Sequence, residues 1–354
     1  MDQDIQDKSQ TQKSRRGKRI RVMVILTLIL FGLMVFASGV GAVKIAISDI
    51  TGIFLSKFVS FPQEMMGWPD SHYRIFWIIR LPRIVMAVLV GYSLSTAGTA
   101  LQGVLQNHLA DPYLIGLSSG AALGASIGII ARKNILSVSS ATIPIFAFAG
   151  GIISLILVYT ISQKGRQSST INLILAGVAV SSFFSAIVSF LIVKFGERME
   201  EIIFWMMGGL ANSTWANVRL IMPYIAVGSV IIIGCGKILN VMSLGDEKAK
   251  HLGVNVDFYR KLIIASATLI SATAVSVTGL IGFVGLMVPH MFRRIVGADH
   301  RILIPAAGLG GAIVLLLADT LSRTALAPKE IPVGIMTAVL GAPFFMYLLR
   351  SRRI

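Results

Sequence analysis

The stretch from Pro82 to Val104 carries a single charge, Arg83. An apolar helix of roughly 20 residues crosses the ~30 Å hydrocarbon core of a bilayer, so this run calls for a membrane span before any other feature is weighed. Pro82 suits its first turn, where a missing N–H breaks no hydrogen bond. The segment that follows, Gln106 to Pro112, reads QNHLADP and is too polar for lipid. Pro112 cannot continue a helix but can open the next one. The chain therefore reverses there, and a second crossing follows.

Both crossings bear small residues at every fourth position: Gly91, Ser95, Thr99 and Gly103, then Gly116, Gly120, Gly124 and Gly128. Four-residue spacing gathers each set on one helical face. Helices in lipid gain most from close backbone approach, which small residues permit. A soluble helix would lose roughly 1 kcal/mol per Gly relative to Ala. The expectation is a pair of packing seams inside a membrane protein. Composition agrees, since 14% of the 354 residues are charged, against about 25% in soluble domains. The formal charge of +16 does not mark a nucleic-acid binder, because the basic residues lie scattered between apolar runs without an aromatic and basic platform. Cys235 is the single cysteine, which excludes an intrachain disulfide or a cysteine metal site.

Further apolar runs occupy 22–43, 143–162, 172–193, 218–239, 262–277, 283–291, 302–324 and 332–349. With the opening pair they make about ten spans, the run 283–291 being short and in need of its flanks. The expected fold is all-α, a polytopic membrane protein with about ten transmembrane helices. A mobile basic tail at 1–21 precedes one transmembrane domain over 22–353. The run 22–43 is longer than the core of a cleavable signal and is read as a retained span. An even span count puts both termini on one side, and the distribution of Lys and Arg makes that side the cytoplasm. The mixed segment 44–73 then lies outside as a loop with short amphipathic pieces, and Glu197–Met207 forms a short outer surface helix.

On the inner side the longest polar interruption after the sixth span is 243–256, SLGDEKAKHLGVNV. Asp246 and Glu247 precede Lys248 and Lys250, the charge order that a helix dipole favours. His251 has no His or Cys at metal spacing and is read as a surface residue. No Walker loop, nucleophile elbow or zinc motif occurs in the sequence. No catalytic residue, metal site or cofactor is therefore assigned, and the chain is not expected to be an enzyme by itself. A transporter, a channel or a membrane scaffold remains. Ion-coupled carriers hold ionisable residues in mid-membrane. Here the acidic residue that stands out is Asp319, four positions before Arg323 near an outer helix end, and it is read as half of a structural ion pair.

Five ordered segments carry a resemblance. RLPR at 80–83, LQGVLQNHLADPYLIGLSSGAALGA from 101, LGDEKAKHLGV from 244, GFVGLMVPHMFRRIVGADHR from 282 and ADTLSRTALAPKEIPVGIMTAVLGAPFFMYLL from 318 are similar to the FecCD family. These are membrane permease subunits of ATP-driven importers for ferric siderophores, haem and vitamin B12. The resemblance runs from about Val22 to Arg353. It implies a type II ABC importer permease in a bacterial or archaeal plasma membrane. A second copy of the chain completes a homodimer, with cytoplasmic ATPase subunits below and an extracytoplasmic substrate-binding protein above. A ferric siderophore is the first cargo implied, then haem or cobalamin. The alternative from a different class is an ion-coupled secondary transporter.

The same resemblance assigns sites. The pathway falls on the fifth and tenth helices, where Gly177, Ser181, Ser185 and Ser189, and Gly334, Thr337, Ala338 and Gly341, present small faces. A packing seam fits the fifth-helix face equally well, and Pro343 is expected to kink the tenth helix. The inner gate falls on Asn107, Leu109, Ser169 and Thr170. The ATPase is met by the coupling segment, at Leu244, Gly245, Asp246, Glu247, Ala249, Leu252, Gly253 and Val254. Arg80, Arg83 and Arg323 receive the binding protein, since a guanidinium grips a carboxylate through two hydrogen bonds. Anchoring by side chains that snorkel to water is the competing account of these arginines. Two positions depart from the family pattern, His108 and Leu280, each standing where proline is usual. His108 raises the prospect of a titratable inner gate.

Overall fold

A computed structural model describes residues 2–41, 43–57, 67–134, 141–164, 167–168 and 170–350. A backbone inside lipid must satisfy its own hydrogen bonds, and a helix does so within one segment. The described chain is helical, apart from a two-residue antiparallel hairpin pairing 163–164 with 167–168. Helix α1 covers Asp2–Gly39, α2 Ile47–Leu55 and α3 Asp70–Tyr73. A π-helical stretch, Arg74–Arg80, leads without a break into α4, Leu81–Val104. A 3₁₀ turn at Pro112–Ile115 opens α5, Leu117–Asn134, followed by α6, Thr142–Ser162, and α7, Thr170–Lys194. Then come the short α8, Met199–Met206, and α9, Trp215–Gly234, which Cys235 separates from α10, Gly236–Met242. The series ends with α11 (Asp246–His251), α12 (Val256–Thr278), α13 (Val284–Val296), α14 (His300–Thr324) and α15 (Val333–Arg350).

Among the described residues seven helical stretches are long and apolar enough to cross a membrane: Ile20–Gly39, Asp70–Val104, Thr142–Ser162, Ile171–Lys194, Trp215–Gly234, Val256–Thr278 and His300–Thr324. Leu117–Arg132 and Val333–Tyr347 are shorter apolar helices. The 13 residues of α13 rise only about 20 Å at 1.5 Å each, short of a full crossing, as the brief run 283–291 foretells. Together they make the ten segments expected. Helix α1 runs unbroken from Asp2 and takes in the basic tail. Gln, Lys and Arg tolerate helix well, and the apolar half supplies the nucleus that a short helix lacks.

Helix α4 forms the centre, packed by α14, α12, α13 and α9, with most of its residues buried. Glycine makes that possible. A Cβ added at Gly91 would lie 2.3 Å from the carbonyl oxygen of Gly311, and one at Gly311 would lie 2.2 Å from that of Gly91. Gly98, outside the four-residue stripe, is tighter still, at 1.9 Å from the Gly285 oxygen. Helices α5 and α6 cross in the same way at Gly120 and Gly150. Gly116 does not belong to the second stripe as a helical residue. It ends the 3₁₀ turn at φ +79 before α5 begins, a conformation that glycine adopts without strain. Ile50 and Ile53 of α2 pack on Phe76, a short helical piece within 44–73.

Candidate functional site

The three arginines assigned to docking converge at the end of α4 and α14 where α1 terminates, and all point inward. Arg80, Arg83 and Arg323 are only 5%, 5% and 6% exposed. A helix leaves its last four carbonyls without intrahelical donors, and Arg80 and Arg323 supply donors to two of them and to two carbonyls of the segment just beyond α1. Arg80 donates through Nη1 to the Ser38 carbonyl at 2.9 Å and through Nη2 to that of Val43. Arg323 donates to Ala37 at 3.2 Å and Val40 at 3.3 Å. The positive charge also suits the negative end of the α1 dipole. Arg83 Nε donates to Asp319 Oδ1 at 2.8 Å and Nη1 to Glu330 Oε2 at 2.7 Å. Arg323 Nε stands 3.2 Å from Asp319 Oδ2, the ion pair expected from the four-residue spacing. None of the three snorkels to lipid or stands free on a rim.

Beside this knot opens a cavity of about 460 Å³, lined by Arg83, Arg132, Glu201, Trp205, Asn212 and Glu330 among others. A second cavity, of about 260 Å³, runs along α7. Ser181, Ser185 and Ser189 line it, together with Ser118 and Ser119 from the start of α5. Ser119 Oγ lies 3.2 Å from Ser181 Oγ and donates to the Gly116 carbonyl at 2.9 Å. Ser189 donates to the Ser185 carbonyl. Gly177 is buried. Leu280, where the family pattern has proline, closes the groove with Met206. The tenth-helix face differs. A Cβ at Gly334 would meet the Met207 oxygen at 2.1 Å, and one at Gly341 would meet Phe283 at 2.4 Å. Thr337 is 2% exposed and Ala338 half-buried. The small residues of α15 are therefore filled by packing, and the helix continues through Pro343.

At the turn after α4 Asn107 and Leu109 are half-buried. The Asn107 side chain accepts from the Leu109 N–H at 2.9 Å, the local bond that holds such turns. Ser169 lies outside the described residues, and Thr170 opens α7. His108 and Leu109 share a small cavity of about 10 Å³ with Phe283, His290 and Phe344, room for about one water. Burial, and then the nearby Arg293, hold the His108 imidazole below its ordinary value. Asp111 caps the 3₁₀ turn by accepting from the Tyr113 N–H at 2.9 Å, and burial pushes its carboxyl up to about 6. The Tyr113 hydroxyl donates to the Ile281 carbonyl at 3.0 Å and accepts from the Ile281 N–H at 3.1 Å, which fixes the loop carrying Leu280.

The coupling segment forms α11 with its acids first and bases last. Gly245 and Gly253 bracket it at φ +103 and +81, where only glycine is unstrained. Arg260 Nη2 donates to both carboxylate oxygens of Asp246, at 2.8 and 2.7 Å, an anchor on α12. Leu244 and Leu252 are 56% and 64% exposed, whereas Ala249 is fully enclosed, packed with Met242 and Val256. Glu247 is exposed and Val254 half-buried. Ala249 thus faces the protein and not a partner: in so short a helix one face must cover Met242, and the smallest side chain takes that place. A polar node missed by sequence reading lies nearby. Asn240 Nδ2 donates to Asp299 at 2.7 Å, and its Oδ1 accepts from the backbone N–H of His300 at 2.8 Å and from its Nδ1 at 2.9 Å. That acceptor places the imidazole proton on Nδ1. The hydrogen bonds from Arg301 hold the Asp299 carboxyl well below the usual carboxylate range.

A buried central helix, close glycine crossings and a short helix inserted between two spans agree with the class that the comparisons show, the all-helical permease of type II ABC importers, a multi-pass membrane protein. One solved structure, described as an inward-facing conformation of a metal-chelate type ABC transporter, matches with TM-score 0.80 and 33% identity, covering 94% of this chain and 99% of that one. The model of the FecCD transport family matches residues 25–351, and the chain belongs to that family. It is 44% identical over 288 residues to the cobalamin import system permease protein of Halobacterium salinarum, covering 81% of this chain and 76% of that protein. It is 37% identical over 344 residues to an Fe(3+)-citrate import system permease protein of Bacillus subtilis, covering 97% of this chain and 98% of that protein. Other relatives are named for hemin and for iron(3+)-hydroxamate. The chain is thus an importer permease whose class assigns ATP hydrolysis to a separate subunit, and the secondary-carrier alternative falls away.

Proposed function

We propose that two copies of this chain form the membrane pathway of a binding-protein-dependent importer that carries a ferric chelate, foremost a ferric siderophore, into the cell. Cytoplasmic ATPase subunits drive it, and both termini, with the basic tail at 1–21, lie on the ATPase side. The observation that carries the reading is α11. Two exposed leucines, Leu244 and Leu252, flank a helix locked to α12 by Arg260. A rigid element with an apolar contact surface between two spans serves mechanical coupling. In this reading Leu244, Gly245, Glu247, Leu252, Gly253 and Val254 meet the ATPase, while Asp246 and Ala249 pass its displacement inward. Asn107, Leu109, Ser169 and Thr170 meet across the two-fold axis as the inner gate, and the serine groove along α7 carries the cargo.

On the outer face Arg80, Arg83 and Arg323 exchange the α1 carbonyls and Asp319 for carboxylates of the binding protein. An ion pair desolvated in an interface contributes more than an exposed one. The match along nearly the whole chain to a relative named for ferric citrate supports an iron chelate. The 44% identity to a relative named for cobalamin favours a corrinoid as the second reading. The test reconstitutes the chain with its ATPase and binding protein in proteoliposomes and measures uptake of radio-iron as hydroxamate and citrate chelates, of haem and of cyanocobalamin. ATP-dependent accumulation of an iron chelate is expected. Accumulation of cyanocobalamin alone establishes the second reading, and uptake indifferent to ATP overturns both.

A further inference from the structure

We propose that Gln106 is a positioning residue that ties the inner gate turn to the ATPase-facing element through one hydrogen bond to the Met242 carbonyl. The inference rests on the reading above, in which α11 receives the ATPase and the turn after α4 closes the pathway.

Gln106 Nε2 donates to Met242 O at 2.7 Å across 136 positions of sequence. The same oxygen accepts from the backbone N–H of Gly245 at 3.1 Å, and Gly245 caps α11. One carbonyl therefore joins the N-cap of the coupling helix to the second turn residue beyond α4. Met242 is fully enclosed and packs beneath Ala249 and Val256. The Asp246–Arg260 contact and the Asn240 node fix the two ends of this unit to α12 and α14. A displacement of α11 carries the Met242 carbonyl with it. Among the described residues no other side-chain hydrogen bond joins 105–111 to 236–254.

The backbone at Gln106 gives independent support. Helix α4 ends with the Asn107 N–H donating to the Gln102 carbonyl at 3.2 Å, the six-to-one bond of a helix end whose next residue is left-handed. Glycine normally fills that left-handed position, because a Cβ there is strained. Here the residue is Gln106 at φ +50, one of two non-glycine residues with positive φ among those described. Glycine would close the helix equally well but would forfeit the amide that reaches Met242. The next residues, Asn107 and Leu109, are those assigned to the gate, and Asn107 holds Leu109 through its side chain. The strained residue is thus the link between the coupling unit and the gate.

The test uses the assembled complex of permease, ATPase and binding protein in nanodiscs, carrying Leu109→Cys in a Cys235→Ala background. A water-soluble maleimide labels position 109 in the ADP state and in the ATP and vanadate state. In the parent the labelling rate is expected to differ between the states. Gln106→Leu and Gln106→Gly should each shrink that difference about five-fold, the loss of one neutral hydrogen bond, while ATP hydrolysis is retained. Gln106→Lys, which keeps a donor on a long stem, should restore it. A difference that persists in both the Leu and Gly variants overturns the proposal. So does its loss in Leu alone, because strain at the helix end would then be the cause. If labelling in the parent ignores nucleotide while ATP is hydrolysed, the gate assignment itself fails and the inference falls with it.

Discussion

Removing the carboxylate of Asp319 tests whether the outer knot holds the bundle together. Asp319 is wholly enclosed, and Asp319→Ala would leave two guanidinium groups facing one another in the interior. Breaking a buried ion pair by deleting one partner costs about 3–5 kcal/mol. Two features place this case near the lower bound. Arg83 keeps Glu330 at 2.7 Å, and the Arg323 contact at 3.2 Å is not aligned as a hydrogen bond, so the loss falls mainly on the Arg83 Nε bond at 2.8 Å. About 3 kcal/mol corresponds to roughly a hundred-fold change in the unfolding equilibrium. Glu330→Gln is the internal control, because the Glu330 side chain is 42% exposed and an exposed pair contributes about 0–1 kcal/mol. Thermal unfolding in detergent, followed by tryptophan fluorescence at one fixed scan rate, compares the two variants. A midpoint for Asp319→Ala no lower than that of Glu330→Gln would refute the argument that this carboxylate neutralises the arginines.

Three further outcomes follow from the geometry. Asp111→Asn keeps the cap on Tyr113 but removes a carboxyl raised from 3.8 to about 6. Ionising that group costs stability progressively as pH rises from about 4 to 6, so the variant should be more stable than the parent at pH 8, by less than about 3 kcal/mol, and indistinguishable at pH 4. Equal midpoints at both pH values would show that the burial has no such effect. Gly98→Val places atoms against the Gly285 backbone, which cannot give way like a side chain, and should cost more than the 1–3 kcal/mol of ordinary overpacking; an unchanged yield and melting midpoint would contradict the close crossing of α4 and α13. Leu252→Glu should leave the permease folded, because the residue is exposed, yet weaken ATPase association at least about ten-fold, which co-purification with the ATPase measures.

The spans were legible because hydrophobicity over a window needs no knowledge of neighbours. Asp319 and Arg323 were legible as a pair because four residues bring them to one face of one helix. Arg83, however, meets Asp319 across 236 positions, and the acceptors of Arg80 are backbone carbonyls of α1, which sequence does not announce. For that reason the three arginines read as an outer rim although they point inward. The α7 serines were placed on a groove, while Ser118 and Ser119 were overlooked because their register depends on the turn at Gly116. The small face of α15 resembled that of α7 in sequence, and only the positions of Phe283 and the Met207 carbonyl distinguish a filled face from an open one. Ala249 looked like a contact residue until the packing of Met242 showed which way α11 faces. The polarity of the tail does not reveal that the helix of the adjoining span extends back through it to Asp2.

The charge knot at the outer end also orders the biosynthesis of the chain. Arg83 enters the membrane with the second span, but its partner Asp319 is made 236 residues later, and the α1 carbonyls at 37 and 40 wait for Arg323 across 286 and 283 residues. At roughly 5–20 residues per second, the interval for Arg83 is on the order of 10–50 s. Throughout that time a nascent helix pair carries an uncompensated cation that must reach toward water at the membrane surface. The first span, with 11% of its apolar window buried in the finished bundle, is held in the meantime by Arg80, which reaches the Ser38 carbonyl across only 42 residues. The charge knot is therefore closed only when α14 inserts, and a ribosome stalled before residue 319 would leave a half-made bundle in which Arg80 alone of the three arginines has its partners.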